Sequence, residues 1–229
     1  MKKVIVGLLV LAIGLSSTLT YAKTLDELKQ EVTELKKKAT EKFVDVGKDD
    51  WYLENVAILT EMAIINGYDD GSFKPNDTIT KAQFIKLVIT ALGHKDIQLS
   101  GEYWAAGYIN KAFSEGLIEN KYSKDQSYDS PISRGEMAVI IAKVLDDDPS
   151  NEEIIKYAEE IQDFEKIDGQ DGLYIIQTYK NEIIQGYPDG EFKADNNATR
   201  AEASTIIVRL LDKIKNRQVQ QSVSGSGGN

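Results

Sequence analysis

The sequence predicts an all-α fold in which one helical unit occurs three times, and two observations carry that reading. A Ser/Thr-x-x-Glu/Gln capping box stands at Thr80-Lys81-Ala82-Gln83, Ser133-Arg134-Gly135-Glu136 and Thr199-Arg200-Ala201-Glu202. In such a box the hydroxyl and the third helical side chain reciprocally satisfy backbone donors at a helix start. Each box is followed by an apolar seam at helical spacing: Phe84, Leu87, Val88, Ala91 and Leu92; Met137, Ile140, Ile141, Val144 and Leu145; Ala203, Ile206, Ile207, Leu210 and Leu211. No stretch alternates apolar and polar residues well enough for a convincing strand, so the rest reads as short extended loops.

The upstream register supports the repeat. Gly67, Asn120 and Gly186 each lie 14 residues ahead of the basic residue of their box, so the three loops align without a gap. The loops read GYDDGSF, NKYSKDQ and GYPDGEF. Trp51 and Trp104 stand 16 residues before Gly67 and Asn120, while Gln170 takes that place in the third copy.

Taken in order, residues 1–22 carry Lys2 and Lys3, an apolar run over 4–15 and a small-residue site at Thr20-Tyr21-Ala22, which predicts a secretory signal cleaved after Ala22. Residues 23–42 place Leu25, Leu28, Val32, Leu35 and Ala39 at heptad-like spacing. This helix either packs on the repeat body or pairs with another chain. The first repeat spans 43–95 and the second 96–148; a fourth box, Ser150-x-x-Glu153, opens an inserted helix over 149–162; the third repeat spans 163–215. Polar, Gly/Ser-rich residues 216–229 predict a disordered tail. The repeats share one core rather than three.

Composition excludes several classes of function. The formal charge is −10, and loss of Lys2 and Lys3 with the signal takes it to −12, which argues against nucleic acid and anionic lipid. No run after the signal approaches membrane length. There is no cysteine for a disulfide or a thiol nucleophile, and the lone histidine, His94, lies outside every motif beside a helix end, where it suits a C-terminal dipole partner. The Asp-rich loops lack the closing Glu of an EF-hand. No catalytic site, metal or cofactor is implied.

Capping explains the Thr and Glu of each box but not the basic residue between them. A cation at the positive end of a helix costs roughly 0.3–1 kcal/mol. Its recurrence as Lys81, Arg134 and Arg200 suggests an external anion shared with free N–H groups of the first turn, or else pairing with a neighbouring carboxylate.

Phe43-x-Asp45, Trp51, Ile64-Ile65-Asn66-Gly67-Tyr68, Gly186-Tyr187-Pro188-Asp189-Gly190 and the Thr199-Arg200-Ala201-Glu202 box together resemble the S-layer homology domain family over about residues 43–213. The resemblance implies a pseudo-threefold prism within one chain, with the post-box helices bundled centrally and grooves between repeats. It implies a secreted, non-catalytic anchor at the cell wall or S-layer, holding a secondary cell-wall polymer ending in a pyruvylated sugar. The alternatives are an anchor on peptidoglycan itself, or a scaffold or S-layer assembly protein recruiting a partner through residues 24–42. The candidate ligand residues are Lys81, Arg134 and Arg200 for a carboxylate, Trp51 and Trp104 as sugar-facing surface, and the turn glycines Gly71 and Gly190. Each copy departs somewhere: the first has Lys81 and Gln83 where the family has Arg and Glu, the second lacks the glycine turn, and the third lacks the Trp.

Overall fold

The computed structural model describes residues 23–225 except 96, 98–102, 121–122, 124–126 and 168; the predicted signal lies outside them. Among the described residues the elements are helical, with only isolated bridges between extended segments. They are α1 (Leu25–Gln30), α2 (Val32–Lys42), α3 (Leu53–Glu61), α4 (Lys81–Ala91), α5 (Ala106–Ser114), α6 (Arg134–Leu145), α7 (Asn151–Glu160), α8 (Gly169–Lys180) and α9 (Arg200–Gly225). Reciprocal capping boxes start α1, α4, α6 and α7. At α9 the Thr199 N–H donates to Glu202 at 2.7 Å and the Glu202 N–H to the Thr199 hydroxyl at 3.2 Å. Each such cap contributes about 1 kcal/mol. No described helix is long and apolar enough to cross a membrane.

The three boxes meet in a closed cycle. The Ile79 N–H donates to the Ala198 carbonyl at 3.0 Å, the Ala198 N–H to Ile132 at 3.2 Å, and the Ile132 N–H to Ile79 at 3.0 Å. These residues hold the same place, one before each N-cap. The short helices follow the same rotation: α5 packs on α4, α8 on α6, and α3 closes the cycle on α9. Each short helix therefore leans on the post-box helix of the preceding repeat, and the first repeat on the last. No repeat buries its apolar face alone, which is why the seams form one core. Phe84, Met137, Ala203 and Ile207 are fully buried within it. Each large side chain so buried stabilises the fold by about 1.5–3 kcal/mol.

One open alternative closes and two expectations change. The heptad-like seam of residues 24–42 is spent inside the chain: Leu25, Leu28, Leu35 and Ala39 are buried in the common core. Both α1 and α2 pack on α3, while Lys29 and Asp212 pair at 2.6 Å and Lys215 pairs with Asp26. Self-association or partner recruitment through that seam thus loses its apolar surface, because packing within one chain costs none of the translational and rotational freedom that pairing two chains does. The helix over 149–162 is also no lone insertion. α7 ends just before Ile161-Gln162-Asp163 and packs on α8, as α2 ends just before Phe43-Val44-Asp45 and packs on α3. One leading helix thus serves the first and third repeats. Finally, α9 runs on to Gly225, past the point at Asn216 where composition predicts disorder, and Arg217 reaches back to the Leu145 carbonyl and, at 2.7 Å, to Asp147. His94 stands beside Glu115, 3.7 Å away, where burial first and then Lys111 push its pKa down.

Candidate functional site

The Gly-Tyr loops are held from behind by two carboxylates, the exposed Asp45 and the buried Asp163. Asp45 accepts from the N–H groups of Phe73 at 2.7 Å and Lys74 at 2.8 Å, and Asp163 accepts from Phe192 and Lys193 at the same two distances. The turn itself needs glycine: Gly71 has φ +80° and Gly190 φ +82°, a region that side chains avoid. The carbonyls of these glycines accept from Val44 at 3.1 Å and Gln162 at 3.0 Å. Gly71 and Gly190 therefore shape the loop; Gly67, not Gly71, lines the adjacent cleft.

Each basic residue reaches into the next repeat. Arg134 is 5% exposed; its Nε donates to the Phe192 carbonyl at 2.9 Å and its Nη2 to Gln185 at 2.6 Å. Its guanidinium lies 4.6 Å from the Tyr187 ring and 4.9 Å from Phe192. Arg200 repeats the arrangement on the first repeat, donating to Phe73 at 2.8 Å and Asn66 at 3.4 Å, 4.8 Å from the rings of Tyr68 and Phe73. Burial pushes both guanidinium pKa values down, against the pull of Glu202 and Asp163 on Arg134 and of Asp77 and Asp45 on Arg200. Lys81 instead pairs with Glu136. Carbonyls and aromatic faces thus offset the helix field that made these cations look misplaced.

The first-turn donors are already engaged, and this corrects the anion site expected there. The N–H groups of Lys81, Arg134 and Arg200 donate to Ser130, Asn196 and Asp77, and those of Ala82, Gly135 and Ala201 donate to Tyr128, Ala194 and Pro75. The N-cap hydroxyls take the third N–H of each helix. Any anion would meet side chains rather than helix backbone. Arg200 remains available: it lines an open cleft with Gly67, Tyr68, Gln83, Lys86 and Trp104.

The S-layer homology domain profile matches residues 42–85 and 163–204. An amylopullulanase of Thermoanaerobacterium thermosulfurigenes is 31% identical over 74% of this chain and 9% of its own length. The exoglucanase XynX of Acetivibrio thermocellus is 31% identical over 80% of this chain and 17% of its own. A cellulosome-anchoring protein of Acetivibrio thermocellus is 26% identical over 65% of this chain and 35% of its own. The chain belongs to the S-layer homology domain family. It spans between about a tenth and a third of the length of these relatives, so what it shares with relatives named as enzymes is a cell-surface module.

Three helical units interlock so that the Arg200 and Lys81 clefts each draw on all of them. At the Arg200 site the cation comes from the third repeat, the loop and Gln83 from the first, and Trp104 from the second. One step round the cycle, a second cleft joins Lys81, Leu117, Ile118 and Glu119 just ahead of the altered loop, Glu136, and Asp171 beside the vacated Trp place. The third position joins Arg134, the Gly186-Tyr187 loop and Glu202 3.4 Å from the Tyr187 hydroxyl; α3, which follows Trp51, packs on α9. Asn55, four residues beyond Trp51, bonds Thr205 on α9 at 2.9 Å. Trp51 and Trp104 are 65% and 40% exposed, so neither is a core residue. The substituted cation Lys81 lies at this second cleft and the missing Trp is next in sequence to its Asp171, whereas the other departure of the first copy, Gln83, lines the Arg200 cleft. Sequence reading missed this, as it missed Lys86, whose ammonium lies 5.9 Å from the Trp104 ring.

Proposed function

We propose that the chain anchors itself, or a protein carrying it, to the cell wall by non-covalent binding of a secondary polymer ending in a pyruvylated sugar, at the Arg200 and Arg134 sites. The observation that carries this reading is the Arg200 cleft, where a guanidinium, the Gly67-Tyr68 loop and the exposed Trp104 meet; the Arg134 site repeats the guanidinium and the glycine turn, and we assign Trp51 to it by the register of the repeat. At each, two of the five guanidinium donors hold the neighbouring loop; at Arg200, which lines the open cleft, the others suit the ketal carboxylate, and the indole suits the apolar face of the sugar. At the Lys81 site Glu136 already satisfies the cation.

Co-sedimentation of the chain from Lys23 onward with purified sacculi tests the proposal. Wild-type protein pellets, and pelleting falls after mild acid has removed pyruvate. Equal pelleting before and after would move the determinant to peptidoglycan; no pelleting would remove the anchor. Lys81→Ala leaves pelleting unchanged.

A further inference from the structure

The two arginine sites are not alike. In a chain of net charge −10, the Arg200 cleft is lined by two cations, Arg200 and Lys86, and by no acid among the described residues. Asp45 and Asp77 act on Arg200 at a distance, but Asp45 is tied to the Phe73 and Lys74 N–H groups, and neither lines the cleft. At the Arg134 site the residues equivalent to Gln83 and Lys86 are Glu202 and Thr205. The difference is two units of charge.

Hydrogen bonding points the same way. Gln83 uses Oε1 to accept the Thr80 N–H at 3.1 Å, so its remaining arm is the NH2 group, a donor. Glu202 uses one oxygen on Thr199 and turns the other, an acceptor, to the Tyr187 hydroxyl. The Arg200 cleft thus presents guanidinium, ammonium and amide donors beside Trp104. The Arg134 site sets a carboxylate and a hydroxyl against its guanidinium. Among the described residues no acid lies with Lys86 on the cleft wall; its ammonium lies 5.9 Å from Trp104 and 5.8 Å from Tyr108.

We propose that the Arg200 cleft selects a glycan end carrying two negative charges, the ketal carboxylate and a second anionic oxygen group on the same or the adjacent sugar, whereas the Arg134 site takes an end carrying one. This rests on the glycan reading above. Gln83 and Lys86 are its specificity-determining residues. A two-unit change of charge on the wall of a cleft open to water gives a preference of about tenfold for the dianion. High salt erodes it, since screening shortens to about 3 Å at 1 M.

The test is calorimetric, with three soluble probes: pyruvylated N-acetylmannosamine as its methyl glycoside, the same sugar as its 1-(methyl phosphate) diester, and a disaccharide bearing two pyruvate ketals. Trp51→Ala weakens the Arg134 site and isolates the Arg200 cleft; Trp104→Ala does the reverse; circular dichroism confirms that each variant folds. The Trp51→Ala chain prefers both dianions about tenfold if any second anionic group serves, and only one of them if the cleft distinguishes phosphate from carboxylate. Lys86→Thr with Gln83→Glu abolishes the preference, and the Trp104→Ala chain never shows it. Equal affinity for all three probes in the Trp51→Ala chain, or a preference that survives Lys86→Thr with Gln83→Glu, overturns the proposal while leaving glycan binding intact. Failure of wild-type protein to bind any probe overturns the glycan reading, and this inference with it.

Discussion

At the scale of single residues, the basic position inside each capping box carries the main physical lesson. Arg134 is buried with two carbonyls and two rings around its guanidinium, so its first duty is to fasten the third repeat to the second. Arg134→Ala strands the Phe192 and Gln185 carbonyls and should cost about 2–4 kcal/mol in urea unfolding. Arg134→Lys keeps the charge, loses the planar fork and should recover only part of that. The glycines offer a paired comparison, since alanine at either φ is strained by about 1–2 kcal/mol. At Gly190 the new Cβ would also meet Gln162 at 2.7 Å, whereas at Gly71 the nearest atom is Val44 at 3.7 Å. Gly190→Ala should therefore lower the melting temperature more than Gly71→Ala; equal losses would mean that Gln162 yields freely.

At the scale of elements, the join of α6, α7, α8 and α9 is electrostatic where the rest is apolar. α7 has no fully buried residue and leaves Ile155 62% exposed. Lys180, 8% exposed in its side chain, stands between Asp147 at 3.6 Å and Glu153 at 3.1 Å, and Arg217 meets Asp147 at 2.7 Å. Burial raises the Asp147 pKa, but the Asn181 hydrogen bond and the Lys180 and Arg217 charges outweigh it, so the net value lies below 3.8. A carboxyl whose folded pKa is depressed stabilises fully above its unfolded value and loses that contribution as pH falls through the folded one. Amide exchange in α7 should therefore quicken first as pH drops below about 4. Lys180→Met should move that onset to higher pH. An onset identical in both proteins would show that apolar contacts alone hold α7.

At the scale of the whole molecule, the proposed function would have the two sites act on one polymer. Linked sites gain roughly 10²–10⁴ in avidity when both can engage. Either Trp51→Ala or Trp104→Ala alone should drop sacculus affinity to the level of one site, and the double variant should abolish it. The two singles should thus look alike on polymer although they differ on short probes. If one single variant matches wild type, only one site serves.

Helix starts, seam faces and the threefold repeat were legible in the sequence because capping and helical periodicity act within a turn or two of the chain. The candidate cations and Trp residues were legible too, though the cations' partners were not: Arg134 reaches across 58 residues to Phe192, and Arg200 across 127 to Phe73. No local rule encodes such a reach. The destination of the residue 24–42 seam, the engagement of the Arg200 N–H and the joining of Arg200, Gly67 and Trp104 at one cleft all follow from closing the first repeat onto the last. Only the folded chain decides that closure, because the surfaces that meet are buried by one another and belong to no single segment.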